Sequence, residues 1–169
     1  MGFIMVEKDT IKLLRECDSG VKMGVASIND VLKYVNSEAL EKYLTDYKRE
    51  HEKLNSEIQS LLEKYNDSGK SPGPIAKGMS WMASSMKLVM KESDSTIADL
   101  MTDGCNIGVR TMIKRLKTKP INLKVKSIGF VCFLINIAFV LILHTQFTNF
   151  EHHDSMYRQL IFLILDNNL

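Results

Sequence analysis

Residues 38–65 read EALEKYLTDYKREHEKLNSEIQSLLEKY and carry an uninterrupted helical pattern. The apolar positions recur in alternating steps of three and four, and His51 takes the one polar slot in the series. They are Leu40, Leu44, Tyr47, Leu54, Ile58, Leu61 and Tyr65. Such spacing places all of them on one face of a helix that packs against a partner. The stretch therefore predicts a long amphipathic helix.

The residues before this stretch predict a second helix of the same kind. Their apolar positions again alternate between steps of three and four, with Asp18 in the polar slot. They are Ile11, Leu14, Val21, Val25, Ile28, Leu32 and Val35. Asn36 and Ser37 interrupt the two patterns and can cap the following helix. So short a connection predicts an antiparallel helical hairpin.

Two further helices are predicted after the hairpin. Residues 66–74 contain two prolines and two glycines, which forbid a continuing helix. A third helix with a methionine-rich face starts near Ile75, and a fourth runs from about Ile97 to Leu116 after a break at Ser93. The predicted fold class is all-α, an up-down four-helix bundle with an additional C-terminal hydrophobic helix.

Composition divides the 169 residues into two segments. Residues 1–121 hold 17 of the 20 acidic residues and 19 of the 22 basic ones. We therefore expect a bundle over residues 1–120 and a hydrophobic segment over residues 121–169, with a possible transmembrane helix at about 127–147. The net charge of +2 gives little attraction for phosphate, so nucleic acid is not an expected partner.

Two glycine pairs stand inside predicted helices. Gly20 and Gly24 in the first helix are echoed by Gly104 and Gly108 in the fourth. A glycine in a helix interior costs about 1 kcal/mol relative to alanine, so a packing reason is expected. Close contact between the backbones of these two helices is the favoured interpretation. The alternative is that the glycines open room for a ligand.

Three stretches resemble one family. They are Met23-Gly-Val-Ala-Ser-Ile28, Pro72-Gly-Pro-Ile-Ala-Lys77 leading into Ser80-Trp-Met82, and Ser95-Thr-Ile-Ala-Asp-Leu-Met101 followed by the second glycine pair. Together they are similar to an uncharacterised bacterial family of small ferritin-like helical bundles, a domain of unknown function, over roughly residues 8–117. The resemblance implies a ferritin-like fold. The family's usual charged terminal helix is missing or replaced in this chain.

Ferritin-like di-iron proteins bind metal through Glu-x-x-His pairs on two of their helices. None of the four histidines has a glutamate three residues before it, so no ligand can be carried over. The resemblance thus implies the fold without the di-iron chemistry. We expect no cofactor and find no catalytic constellation, which predicts a protein that is not an enzyme.

His51, Glu50 and Asp18 are weak candidates for a metal site. Pairing the hairpin about its turn sets His51 opposite Gly24, which can make room for the imidazole ring. His51 is therefore either a core histidine or a metal ligand together with Glu50 or another helix. Asp18 is expected to bond across to the third or fourth helix or to lie at the edge of the seam, because a buried carboxylate needs a partner.

The C-terminal segment contains a dense apolar run. Twelve of the sixteen residues from Ile128 to Leu143 are Ile, Leu, Val or Phe, and they favour membrane insertion by roughly 5 kcal/mol, more than the central Asn136 costs. Three interpretations compete: a single-pass anchor, a core helix that replaces the family's last helix, and a change of reading frame after about Lys117.

Charge around the apolar run predicts an orientation. Six basic residues precede it and only Arg158 follows it; the six are Lys114, Arg115, Lys117, Lys119, Lys124 and Lys126. By the positive-inside rule the bundle is expected in the cytoplasm, anchored in the cytoplasmic membrane with the C-terminus outside. The predicted function is a non-catalytic interaction or scaffold module tethered to the membrane, with a helical partner or a second copy possible. The alternative is a metal-handling ferritin-like protein with non-standard ligands.

Overall fold

A computed structural model describes residues 2–69, 93–117 and 123–147. Its regular elements in these ranges are α-helices, which confirms the all-α class. They are α1 (Gly2–Leu32), α2 (Glu38–Lys64), α3 (Asp94–Lys117) and α4 (Leu123–Phe147). The predicted third helix, from Ile75 onward, lies outside the described residues.

Local hydrogen bonds explain where α2 begins and ends. The Ser37 hydroxyl accepts a hydrogen bond from the Leu40 amide, so Ser37 is the N-cap that the sequence predicts. At the other end Asn66 adopts a positive φ of 52°, and the Asp67 amide donates to the Leu62 carbonyl at 3.0 Å. This backward turn satisfies a terminal carbonyl and stops the helix.

Two clusters of buried side chains set the directions of the helices. The upper core joins the end of α1 to the starts of α2 and α3 and the end of α4, through residues such as Ile28, Leu44, Met101 and Phe139. The lower core joins the start of α1 to the end of α2 and the start of α4. Helices α1 and α4 therefore run one way along the bundle, while α2 and α3 run the opposite way.

Polar contacts fix the ends of the α1–α2 hairpin. Near its open end the Arg15 guanidinium donates to both carboxylate oxygens of Asp67, at 3.0 and 2.6 Å. At the turn the Asp94 carboxylate accepts from the backbone amides of Asn36 and Ser37, at 2.9 and 2.7 Å. The start of α3 is thereby held against the α1–α2 turn.

Helix α4 contributes side chains to the same two cores as the other described helices. The Phe139 ring stacks on Tyr47 with a centroid distance of 3.5 Å and on Tyr43 at 5.3 Å. The Tyr47 hydroxyl donates to the Asn136 side-chain oxygen at 3.0 Å, and the Asn136 amide group donates to the Cys132 carbonyl at 2.7 Å. The central asparagine of the apolar run is thus satisfied inside the bundle.

The opposite face of α4 is apolar and exposed. Its side chains are 38% to 48% exposed; they are Phe130, Val131, Leu134, Leu141 and Ile142. Within the described part of the chain, the stretch Val125–Leu143 is long and apolar enough to cross a membrane, and 35% of it is buried. The helix therefore has one face in the core and one exposed apolar face.

Candidate functional site

A cavity of about 430 Å³ lies at mid-height in the bundle, between the upper and lower cores. Helices α1 and α3 form its two sides, α2 contributes Tyr47 and His51, and α4 contributes Cys132 and Asn136. Its remaining lining is mostly small or apolar. This combination of an apolar enclosure with a few polar groups is typical of small-molecule sites.

Both glycine pairs line the cavity. A Cβ atom added at Gly20 or at Gly104 would meet no atom of the described residues within 4 Å. At Gly108 it would meet only the Asn136 side-chain oxygen, at 4.0 Å. Among the described residues, the expected close backbone contact is therefore not seen at Gly20 and Gly104.

Gly24 has a different surrounding from the other three glycines. A Cβ atom at this position would lie 3.0 Å from His51 Cδ2 and 3.3 Å from His51 Nε2. The imidazole therefore packs on the bare backbone of α1, as the hairpin register predicts. Glycine suits this position because a methyl group here would be in tight contact with the ring, which would have to shift by a few tenths of an ångström.

His51 is a buried polar residue at the cavity wall, with only 3% of its surface exposed. Its Nδ1 atom has no hydrogen-bond partner in the described part of the chain. Burial lowers the pKa of His51 to about 4, although the nearby Tyr47 backbone acts in the opposite direction. The ring is thus neutral at pH 7, with one N–H donor and one lone pair.

Three cysteines also line the cavity, and none is in a disulfide. A hydrogen bond with Cys132, together with burial, raises the pKa of the Cys17 thiol. Burial raises the pKa of Cys105 to about 12, although its contact with the Tyr47 hydroxyl at 3.6 Å acts the other way. Because the thiolate is the reactive form, these thiols are poor nucleophiles at neutral pH.

The three weak metal candidates have separate surroundings. Asp18 is fully buried, accepts a hydrogen bond from Gln59 on α2 and pairs with Lys22 at 2.9 Å. Two of its partners therefore lie on α1 and α2 within the part of the chain that the structure describes, and the expected bond to the third predicted helix lies outside the described residues. Glu50 is exposed and pairs with Lys53 at 2.7 Å. Among the residues described, no group of three or more His, Cys, Asp or Glu side chains could hold a metal ion.

Tyr47 and Asn136 are site residues that the sequence did not single out. Tyr47 occupies an ordinary core slot of α2, and Asn136 stands as the one amide within an apolar run. The sequence offered one signal for Asn136: burying an amide without a hydrogen bond costs free energy. A buried helix that contains Asn136 therefore implies a partner for it. Their contact joins positions 89 residues apart, beyond the reach of local pattern.

Comparison with known proteins gave no match to any family model, to any curated protein or to any solved structure.

Proposed function

We propose that this chain is a non-catalytic, ferritin-like helical bundle that acts as an interaction module at a membrane, with α4 as the membrane contact. The observation that carries the proposal is the exposed apolar face of α4, on which Val131, Leu134 and Leu141 are each more than 40% exposed. Soluble monomers rarely leave so continuous an apolar surface in water, and patches of this kind mark contacts with membranes or proteins.

The charge pattern around α4 favours a lipid surface over a second copy of the chain. No Asp, Glu, Lys or Arg occurs from Ser127 to Phe147, whereas the six basic residues precede this stretch. Each lysine or arginine near an anionic bilayer contributes about 1 kcal/mol to binding. Two copies paired in parallel would instead bring these like charges together. The same asymmetry supports the cytoplasmic leaflet as the target.

The inner face of α4 suggests how the contact is made. A helix that crossed the bilayer alone would lose the Tyr47–Asn136 hydrogen bond and the stacking of Phe139 on Tyr47. We therefore propose a side-on contact in which the outer face enters the boundary between headgroups and acyl chains. A spanning α4 with the C-terminus outside is the competing arrangement.

The ferritin-like part of the proposal is supported by the order of helix directions. α1 and α2 are antiparallel, α3 runs with α2, and α4 returns antiparallel to α3. Antiparallel packing of neighbouring helices around shared cores is the pattern of helical bundles, the class that includes ferritin-like folds. Membership of the resembling bacterial family is part of this proposal.

Flotation with vesicles tests the membrane contact. The full chain should float with vesicles of phosphatidylcholine and phosphatidylglycerol and bind pure phosphatidylcholine more weakly. A variant carrying Leu134→Lys and Leu141→Lys should stay in the soluble fraction, because two charges enter the exposed face without touching the core. The matched control carries Ala39→Lys and Ser56→Lys, which add the same charge at exposed positions of α2.

Three results would contradict this arrangement. Full chain that is monodisperse without detergent and ignores both vesicle types would remove the membrane role. A dimer that dissociates in the Leu134→Lys and Leu141→Lys variant would assign the face to a second copy. A C-terminal tag protected from protease inside sealed vesicles would establish a spanning helix instead of a side-on contact.

A further inference from the structure

The mid-height cavity has the volume and the lining of a ligand site, and it is independent of the outer face of α4. Its volume of about 430 Å³ falls within the usual range for small-molecule pockets. Its lining is mostly apolar, which favours an apolar occupant over water.

The cavity has an opening on the side between α1 and α3. Gly104 and Ile107 are both exposed and both line the cavity, and the Ile107 side chain is 57% exposed. Gly104 carries no side chain, and no atom of the described residues lies within 4 Å of a Cβ added there. A small molecule can therefore enter without separating the helices.

The polar groups of the cavity differ in whether they are already satisfied. The Tyr47 hydroxyl and the Asn136 amide bond to each other, so they offer little to a ligand. His51 is 97% buried at the wall and its Nδ1 has no partner in the described ranges. An unsatisfied buried polar atom costs free energy that a hydrogen bond would recover.

We infer that the cavity binds a small, apolar, ring-containing molecule that donates one hydrogen bond to the His51 imidazole. The glycines Gly20 and Gly104 make the space for the rings, and Gly24 lets His51 reach its position. The neutral imidazole supplies the acceptor. The site thus selects a hydroxyl or amino compound over the bare hydrocarbon.

Equilibrium dialysis of the full chain against 1-naphthol and naphthalene tests the inference. We expect saturable binding of one molecule per chain, tighter for 1-naphthol. Gly20→Leu and Gly104→Leu should each weaken both probes at least tenfold without lowering the unfolding midpoint, because their side chains enter empty space. His51→Phe should weaken 1-naphthol about fivefold and leave naphthalene unchanged, as expected for one lost hydrogen bond. Ala39→Leu, on the exposed side of α2, is the control.

Each other outcome overturns the inference. Absence of saturable binding by the unmodified chain excludes the site. A lower unfolding midpoint for both leucine variants means that another part of the chain fills the cavity in solution. Loss of probe binding in the Leu134→Lys and Leu141→Lys variant would place the probe on the outer face of α4. Vesicle flotation does not depend on these results, so failure of one proposal leaves the other distinguishable.

Discussion

Asp18 and His51 are two buried polar residues of the α1–α2 hairpin, and the protein accommodates them in different ways. Asp18 has a charged partner in Lys22 and a hydrogen-bond donor in Gln59. His51 instead stays neutral, because burial disfavours the imidazolium and no carboxylate pairs with it in the described part of the chain. The carboxylate is therefore a structural group, while the imidazole remains open to a ligand.

The pKa of His51 makes stability depend on pH. Its pKa is about 4 in the folded chain and 6.5 in the unfolded chain, so between these values the unfolded state binds the extra proton. Stability is complete above pH 6.5 and falls as the pH drops toward 4, by on the order of 3 kcal/mol. Urea unfolding of the parent and of His51→Gln across this range should show the difference. If the free energies of unfolding of the two proteins changed with pH in parallel, His51 would not be the source of the pH dependence.

The glycines of α1 and α3 give a second test at the residue scale. Gly20→Ala and Gly104→Ala should each stabilise the fold by about 0.5 to 1 kcal/mol, because alanine is the better helix former and its methyl group meets open space. Gly24→Ala should gain less or lose stability, since its methyl group presses on His51. Urea midpoints of the three variants provide the comparison. Destabilisation by Gly104→Ala would point to close packing of the two helices.

At the scale of elements, α4 differs from an ordinary bundle helix because both of its faces are apolar. The inner face is recognisable by its specific contacts with α2, where aromatic rings stack and one hydrogen bond crosses between helices. The outer face is apolar and exposed. A helix with specific contacts on one face and exposed apolar side chains on the other is suited to a position between a protein core and lipid.

The free energy of the Tyr47–Asn136 hydrogen bond tests whether α4 packs against α2 in solution. Tyr47→Phe should cost about 1 to 3 kcal/mol, because it leaves the buried Asn136 oxygen without its donor. Once Asn136→Leu has removed that oxygen, the same Tyr47→Phe change should cost less. A double-mutant cycle of unfolding free energies gives the interaction, expected at about 0.5 to 3 kcal/mol. Strict additivity would show that the two helices are apart.

At the scale of the whole molecule, α4 supplies side chains to both cores. Truncation after Pro120 removes Val125 and Cys132 from the lower core, and Phe139, Val140 and Leu143 from the upper one. Loss of a large buried side chain costs about 2 to 5 kcal/mol, so losing several exceeds the stability of a typical domain. We expect residues 1–120 to aggregate or to lack cooperative unfolding. A soluble fragment with the parent's unfolding midpoint, measured by circular dichroism, would separate α4 from the bundle.

The helices and their caps follow from local chemistry and could be derived from the residues alone. The spacing of Leu40, Leu44 and Tyr47 shows one buried face, Ser37 caps α2, and the short turn makes the hairpin antiparallel, which in turn sets His51 against Gly24. Each of these results depends on neighbours in sequence or on a single turn. That is the range over which side-chain spacing and backbone hydrogen bonds act.

The contacts of α4 and the surroundings of the glycine pairs could be learned only from the tertiary structure. Burial in a core and burial in a membrane reward the same apolar residues, because the hydrophobic effect has no direction. Only the long-range contacts of Asn136 and Phe139 with α2 show that one face of α4 is buried in the protein core. Glycines spaced by four likewise permit either close backbones or an open space. The surroundings of Gly20 and Gly104, where an added Cβ meets no atom of the described residues within 4 Å, depend on how whole helices pack and not on neighbours in sequence.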